Sequence, residues 1–487
     1  MAILMSLIVF FQSSWAVQES ATEVILTENS IQEMIEDQPP SLDQIEASFL
    51  QAKLDHLSKV DKLSFRLDGA GQIYRSEERS LNDFDAFTES ATDYSLALNK
   101  PTKYGIDVGL KVFGVKSSNA FVQNAATNGV TLNLSMDLLK NFLGRQTNNG
   151  IKQSALALKR AELEKKAAVK TFTNSVKKVY WALVANEERE RFLNSLVKTS
   201  EQQYKESLRK KRSGVADAGE VARTKAQWST RQSSLLSVGY QKAQLSKTLR
   251  EMLPNLKGKT IAPLKYSPGQ IKADVLSCTT KIASLSSAPL DRTYYDEIVK
   301  LLIKEEQLEQ KIVEAYDDPS LKLVGELSSV GRGLGLENSR QDFFDDGRPR
   351  TSLGLQLSMP LGKRVKSSQK IAKALTKARY RNQAQSNLLK IDAFHAETVR
   401  MIYILRQVVA NQGSANQLLE KSLKFSKKKY NQARIGLPEY IVEQEAYYQS
   451  KLSEIDSNLT VMNILMDYFS VFSETPCKLN ENTKAGM

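Results

Sequence analysis

The chain contains itself twice. LNLSMDLL (132–139) aligns with LQLSMPLG (355–362), and the same spacing, within one residue, relates RSGV (212–215) to RIGL (434–437). One register therefore holds over about eighty residues, far beyond the roughly 20–50-residue unit of a solenoid. The duplicated object is half a protein. Whatever the first half folds into, the second half must fold into as well.

Each half runs in the same order. A helix comes first, at 41–60 and again at 294–316. Strands follow. Phe65, Leu67 and Ile73 share one face opposite Arg66, Asp68 and Gln72. Val130, Leu132, Leu134 and Met136 alternate with Thr131, Asn133, Ser135 and Asp137. Leu353, Leu355, Leu357 and Met359 alternate with Ser352, Gly354, Gln356 and Ser358. Period-two alternation predicts one apolar and one wet face. Tyr104, Ile106, Val108, Leu110 and Val112 predict a further strand or hairpin in the first half, with 76–101 and 334–350 as acidic, aromatic loops. Beyond the strands, residues 151–212 hold no proline. Val169, Phe172, Val176, Val179 and Leu183 step by three and four, as do Ile391, Phe394, Thr398, Ile402, Leu405 and Val409. These are coiled-coil seams, and such a helix makes a rod of roughly 90 Å. A glycine-centred turn then reverses the chain into return helices at 218–252 and 439–472. Gly214 and Gly436 follow the last periodic residues and suit a left-handed C-terminal cap.

This order divides the chain into an N-terminal extension (17–40), a first repeat (41–255), a linker (256–290), a second repeat (291–472) and a tail (473–487). In the first repeat the strands occupy 64–136 and the helical hairpin 140–253, with its tip at 212–220. In the second the strands occupy 319–359 and the hairpin 363–472, with its tip at 434–439. Residues 1–16 read as a signal peptide: an apolar core at 2–11, then small residues at Ser14 and Ala16 flanking Trp15. No other apolar run approaches the ~18 residues of a membrane helix, so a membrane span has to be built from strands. Strands greasy on one face fit a membrane barrel or a soluble sandwich, and the signal-like start and uninterrupted helices favour the barrel. Four to six strands per chain cannot close around a pore, so several chains must share one sheet.

The cysteines are Cys278 and Cys477 alone. Both lie just past helices at matching places in the halves. In an oxidising compartment they are candidates to pair, the alternative being two free thiols. The formal charge is +13 and suits anionic surroundings such as lipid head groups. The lysines are scattered among glutamates, including Lys210, Lys211 and Lys427–Lys429 before the turns. They read as solvated faces, with no nucleic-acid motif among them. His56 and His395 are the only histidines and sit within helical patterns. With no HExxH, CxxC or Walker lysine motif, the reading is not an enzyme, with no cofactor and no metal site.

The order of elements, with DLLKNFLGRQTNNGI (137–151), MPLGKR (359–364) and the paired turns, resembles the outer-membrane efflux protein (TolC) family over 41–476. The resemblance implies a mixed α+β membrane protein: a homotrimer with a 12-stranded outer-membrane β-barrel continued by a periplasmic α-helical barrel, in a Gram-negative outer membrane. It implies a passive duct, docked to a periplasmic membrane-fusion adaptor and an inner-membrane efflux or ABC transporter. Such a duct exports small molecules in multidrug efflux or polypeptides in type I secretion. The alternative is a soluble periplasmic coiled-coil scaffold. The family bends from strand to helix at Gln-Pro-Leu, which puts Pro360 and Gly362 at the second bend. The first repeat has Met136-Asp137-Leu138 instead, and its bend must rely on other residues. By the same resemblance, Arg212, Gly214, Val215, Arg434, Gly436 and Leu437 are the adaptor-docking tips. Glu220, Glu439, Glu443 and Glu445 are candidates for a carboxylate gate at the tunnel entrance, against the plainer reading of solvated helical glutamates. Val442 stands where the turn register would place the mate of Glu220.

Overall fold

The computed structural model describes residues 23–37, 39–76, 88–119, 121–263, 268–315, 318–361, 363–472 and Cys477. The signal peptide expected at 1–16, Gly362 and the remainder of the tail lie outside these residues. In chain order the elements are β1 (Glu23–Leu26), α1 (Glu28–Glu36), α2 (Asp43–Asp61), β2 (Arg66–Arg75), β3 (Thr88–Pro101), β4 (Ile106–Asn119) and β5 (Ala125–Asp137). Next come α3 (Arg145–Arg212), α4 (Ala218–Met252), β6 (Thr260–Pro263), α5 (Pro268–Ala283), α6 (Tyr294–Glu314), β7 (Ser320–Leu334), α7 (Leu336–Asp346) and β8 (Arg348–Ser358). The chain ends with α8 (Lys363–Thr376), α9 (Gln383–Asn431) and α10 (Leu437–Val471). A π-helical stretch, Lys377–Asn382, joins α8 to α9.

The repeats are not separate bodies. One compact unit takes 44–167 and 290–392; the other takes 168–289, 393–487 and the residues up to 43. Each therefore draws on both repeats.

The first unit is built on a six-stranded antiparallel sheet in the order β2-β3-β4-β5-β7-β8. The halves of the duplication meet where β5 pairs with β7. Register lines up the alternation: Leu67, Leu98, Leu110, Leu132 and Leu327 stand opposite one another across five strands. Two expectations fail here. Residues 88–101 are strand β3, not loop, and 334–350 holds helix α7, anchored where Ser339 Oγ donates to Gly331 O at 3.2 Å. In β3 the apolar residues Tyr94, Leu96 and Leu98 are separated by Ser95 and Ala97, too small to mark a wet face.

Below the sheet, α6 buries two carboxylates. Glu305 is met by Arg160 at 2.8 Å and Glu306 by Arg381 at 3.0 Å. Burial pushes the Glu305 carboxyl above its ordinary range, against the pull of Arg160. Leu163, Leu302 and Tyr380 pack beside them.

The two strand-to-helix bends differ. Pro360 lies in exposed, irregular chain just before α8. In the first repeat Leu143 and Gly144 take φ of 51° and 71°. A Cβ on Gly144 would lie 1.8 Å from the Lys103 carbonyl oxygen, so only glycine fits. Asn141 Oδ1 then caps the helix start, accepting from the backbone N–H of Gln146 and Thr147 at 2.9 and 3.1 Å.

In the second unit, the described residues of the expected linker, 256–290, include β6 and α5. β6 pairs in parallel with β1, and Cys278, which lies within α5 rather than past the end of a helix, is joined by a disulfide to Cys477 with a Cα–Cα distance of 5.0 Å. Glu28 on α1 is buried and held by the Trp181 indole N–H at 2.6 Å and Lys177 at 3.2 Å. Of the predicted seam, Val176 and Leu183 are fully buried.

Candidate functional site: the hairpin tips

Both helical hairpins reverse through the same hydrogen-bond pattern. In the first, Gly214 N donates to Lys211 O at 3.0 Å and Val215 N to Lys210 O at 2.9 Å. In the second, Ala433 N donates to Tyr430 O at 3.0 Å and Arg434 N to Lys429 O at 2.9 Å. This is a Schellman closure, which needs a left-handed residue after the helix. Gly214 fills it with φ 69° and Ala433 with φ 56°. Gly436 does not: at φ −77° and ψ 161° it is extended and N-caps α10. Its counterpart is Asp217, whose carboxylate accepts from Glu220 N at 2.6 Å.

The RxG resemblance between the turns is thus three residues out of step with the backbone. Structure pairs Gly214 with Ala433, Val215 with Arg434, Asp217 with Gly436 and Glu220 with Glu439. Arg212, Gly214, Arg434 and Gly436 are exposed, and Val215 is 76% exposed. Leu437 is not the equivalent of Val215. It is only 5% exposed and offers no docking surface.

The carboxylates also sort themselves. Glu220 and Glu439 share a place in the first turns of α4 and α10, where the helix dipole favours negative charge. Glu443 accepts from Ser422 Oγ at 2.8 Å. Glu445 is ion-paired with Arg231 and accepts from Gln449 Nε2 at 2.8 Å. The Arg231 side chain is 7% exposed and its guanidinium lies 5.0 Å from the centre of the Tyr448 ring. Burial pushes the Tyr448 phenol up to about 12. Nothing in QWSTRQ (227–232) set Arg231 apart from the other basic residues of that helix.

The hairpins are tied together near the tips. Gln203 Nε2 donates to Gln444 Oε1 at 2.9 Å in a buried contact. Lys210 Nζ donates to the Tyr430 hydroxyl at 3.0 Å and sits 4.9 Å from that ring's centre. The hydrogen bond raises the lysine pKa, so Lys210 is a structural cation rather than part of a solvated face. Tyr430 stacks on Tyr440 with centroids 5.1 Å apart. Within the first hairpin, Ser207 and Thr224 share a hydrogen bond at 2.8 Å and Tyr204 stacks on Trp228. The histidines are spoken for as well: His56 bonds Ser154 at 3.0 Å, and His395 is buried beside Tyr468. Among the described residues, no three His, Cys, Asp or Glu gather as metal ligands.

The duplicated chain thus combines a sheet greasy on one face with two long hairpins whose tips match. Residues 106–255 match the model of the outer membrane efflux protein family. That segment and the fold are what the chain has in common with the outer membrane efflux protein family. The fold is similar to that of the outer membrane protein VceC from Vibrio cholerae, with a TM-score of 0.67 at 14% identity, covering 91% of this chain and 95% of that one. It is similar to the Campylobacter jejuni CmeC outer membrane channel, at 0.66 and 15% identity over 93% and 89%. It is also similar to the open state of the Neisseria gonorrhoeae MtrE outer membrane channel, at 0.62 and 13% over 91% and 88%. No curated protein matches the chain in sequence. The chain is thus similar to these channels in backbone while sharing few side chains with them.

Proposed function

We propose that the protein is a passive, homotrimeric exit duct of a Gram-negative outer membrane, with its helical part in the periplasm. The observation that carries this reading is the sheet face. Ile73 is 78% exposed, Leu353 76% and Leu355 66%, and they belong to one continuous apolar face that only lipid would cover. A soluble scaffold would hold that face in water. Apolar rows on helices await neighbours too: Leu50, Leu54 and Leu57 on α2 and Ile371 and Leu375 on α8 are exposed, as expected where copies pack side by side.

The tips meet a periplasmic adaptor, beneath which an inner-membrane efflux or ABC transporter supplies the energy. Val215 provides an apolar knob, and Arg212 and Arg434 provide donors for carbonyls or carboxylates. Glu220 and Glu439, six per trimer, form the acidic ring of the entrance. The Arg231–Glu445 pair latches the second return helix to the first. Cargo is a small molecule, in multidrug efflux, or a secreted polypeptide.

Planar-bilayer recording of the purified protein tests the duct. Stepwise pores are expected, and a protein that stays in the soluble fraction and forms none rejects it. For docking, Val215→Asp with Arg434→Glu alters only exposed tip residues. Assembly should persist while drug efflux is lost; unimpaired efflux ends the tip assignment.

A further inference from the structure

The duct read above is implied to have twelve strands from three chains, hence four from each. This chain's sheet has six. We propose that all six strands join the barrel wall, so that three copies close an 18-stranded barrel through β8 of one copy pairing with β2 of the next. The proposal rests on the trimeric duct reading.

Four observations carry it. First, β2 and β3 are not an appendage. β2 pairs along its whole length of 10 residues with β3, and β3 pairs from Ser90 to Pro101 with β4. Second, they share the apolar face of the rest. Leu67 (64% exposed), Leu96 (51%) and Leu98 (39%) continue the band formed by Leu110 (43%), Leu134 (44%) and Leu327 (50%). On the opposite face, Asn99 Nδ2 donates to Asp68 Oδ2 at 2.9 Å, a polar cross-strand pair suited to a wet lumen.

Third, the stagger is that of a barrel wall. From Arg66 at the foot of β2, paired residues run through Asn99, Gly109, Asn133 and Glu326 to Ser352, six residues above the foot of β8 at Ser358. A climb of about one residue per strand, with the usual rise and strand spacing, gives a tilt of roughly 35–40°, within the range of closed barrels. Fourth, the free edges match. β2 has 10 residues and β8 has 11, and they run in opposite directions, so their pairing continues the antiparallel meander. Extending the same stagger sets Ser352 against Gln72 and Ser358 against Arg66 of the next copy. Wet-face residues then meet wet-face residues. Backbone groups on an edge strand in lipid have no water to turn to, so neither edge can stay open.

Barrel diameter grows about linearly with strand number. The outer-membrane bore would therefore be about half as wide again as that of a twelve-stranded trimer, and the barrel would not be the step that sorts cargo by size.

Single-particle imaging of the detergent-extracted full-length oligomer counts the strands directly. Three copies around eighteen strands are expected. Three copies around twelve strands, with β2 and β3 outside the wall, overturn this proposal but leave the duct standing. Single chains with no closed barrel overturn the duct as well. A second measurement uses oxidative cross-linking in membranes. Gln72→Cys with Ser352→Cys should link neighbouring copies into multimers that reductant dissolves. If Lys111→Cys with Ser352→Cys links them instead, β4 is the true edge and the proposal fails.

Discussion

The two hairpin tips reach one backbone geometry from different residues. The first places glycine in the left-handed cap position; the second places Ala433 there, at φ 56°. The first N-caps its return helix with Asp217 and the second with Gly436. What the duplication has kept is the pattern of main-chain hydrogen bonds, and that pattern tolerated a residue poorly suited to it. The bends at the opposite ends of the hairpins differ in the same sense. One depends on a glycine that nothing can replace, and the other uses a proline in open chain.

The largest difference between the two halves is expected at the bends. Gly144→Ala should cost more than about 3 kcal/mol, because it combines a positive φ with a clash against backbone. Pro360→Ala should cost under about 1 kcal/mol. Thermal melts of the two variants check this, and equal losses would mean that the bends are not different after all. Next in size is Arg231→Ala, which strips the partner from Glu445 and the cation from the Tyr448 ring. With one partner buried and the other half-exposed, a loss of about 1–3 kcal/mol is expected in denaturant titrations. Ala226, at the place in the first hairpin corresponding to Glu445, has no such partner, and Ala226→Ser should change little.

The caps give a pair of opposite sign. Gly214→Ala should destabilise by about 1–2 kcal/mol, while Ala433→Gly should stabilise by about 1 kcal/mol, since each moves one tip toward the other's chemistry. Shifts of the same sign would refute the shared closure. The smallest effect is spectroscopic. The Tyr448 phenol is held neutral by burial up to about 12. Its contribution to stability is present below the ordinary tyrosine pKa near ~10 and is lost as pH rises from there through about 12. Ultraviolet titration of Tyr448→Phe should lack the last-ionising tyrosine.

Strand periodicity made β5 and β8 legible from residues alone, because Leu, Val and Met alternate there with polar side chains. It failed at β3, where Ser95 and Ala97 dilute the wet face, and at α7, where QDFFDD looks like any acidic loop. The long helices were legible from their seams and from the absence of proline. The tips were found in the right places but in the wrong register. Arg-x-Gly occurs in both turns, yet main-chain closure, not residue identity, decides which residues correspond. Once it does, Glu220 finds its mate in Glu439 rather than Val442, and Leu437 turns inward as the first residue of a helix. Arg231 carried no signal because its role comes from a neighbour, Glu445, far along the chain.

The second long helix carries a different mark. Its stretches of 14, 6 and 49 residues total one more than the 68 of α3, and the π-helical stretch absorbs the surplus, as a one-residue insertion does.

The disulfide between Cys278 and Cys477 spans a separation of 199 residues, and the second tip lies inside that loop while the first lies outside it. A protease that cuts after Arg212 therefore parts the chain into two pieces. One that cuts after Arg434 leaves a nicked chain that still migrates as a single species until reductant is added. The two tips, alike in backbone, differ in what a single cut does to the covalent integrity of the molecule.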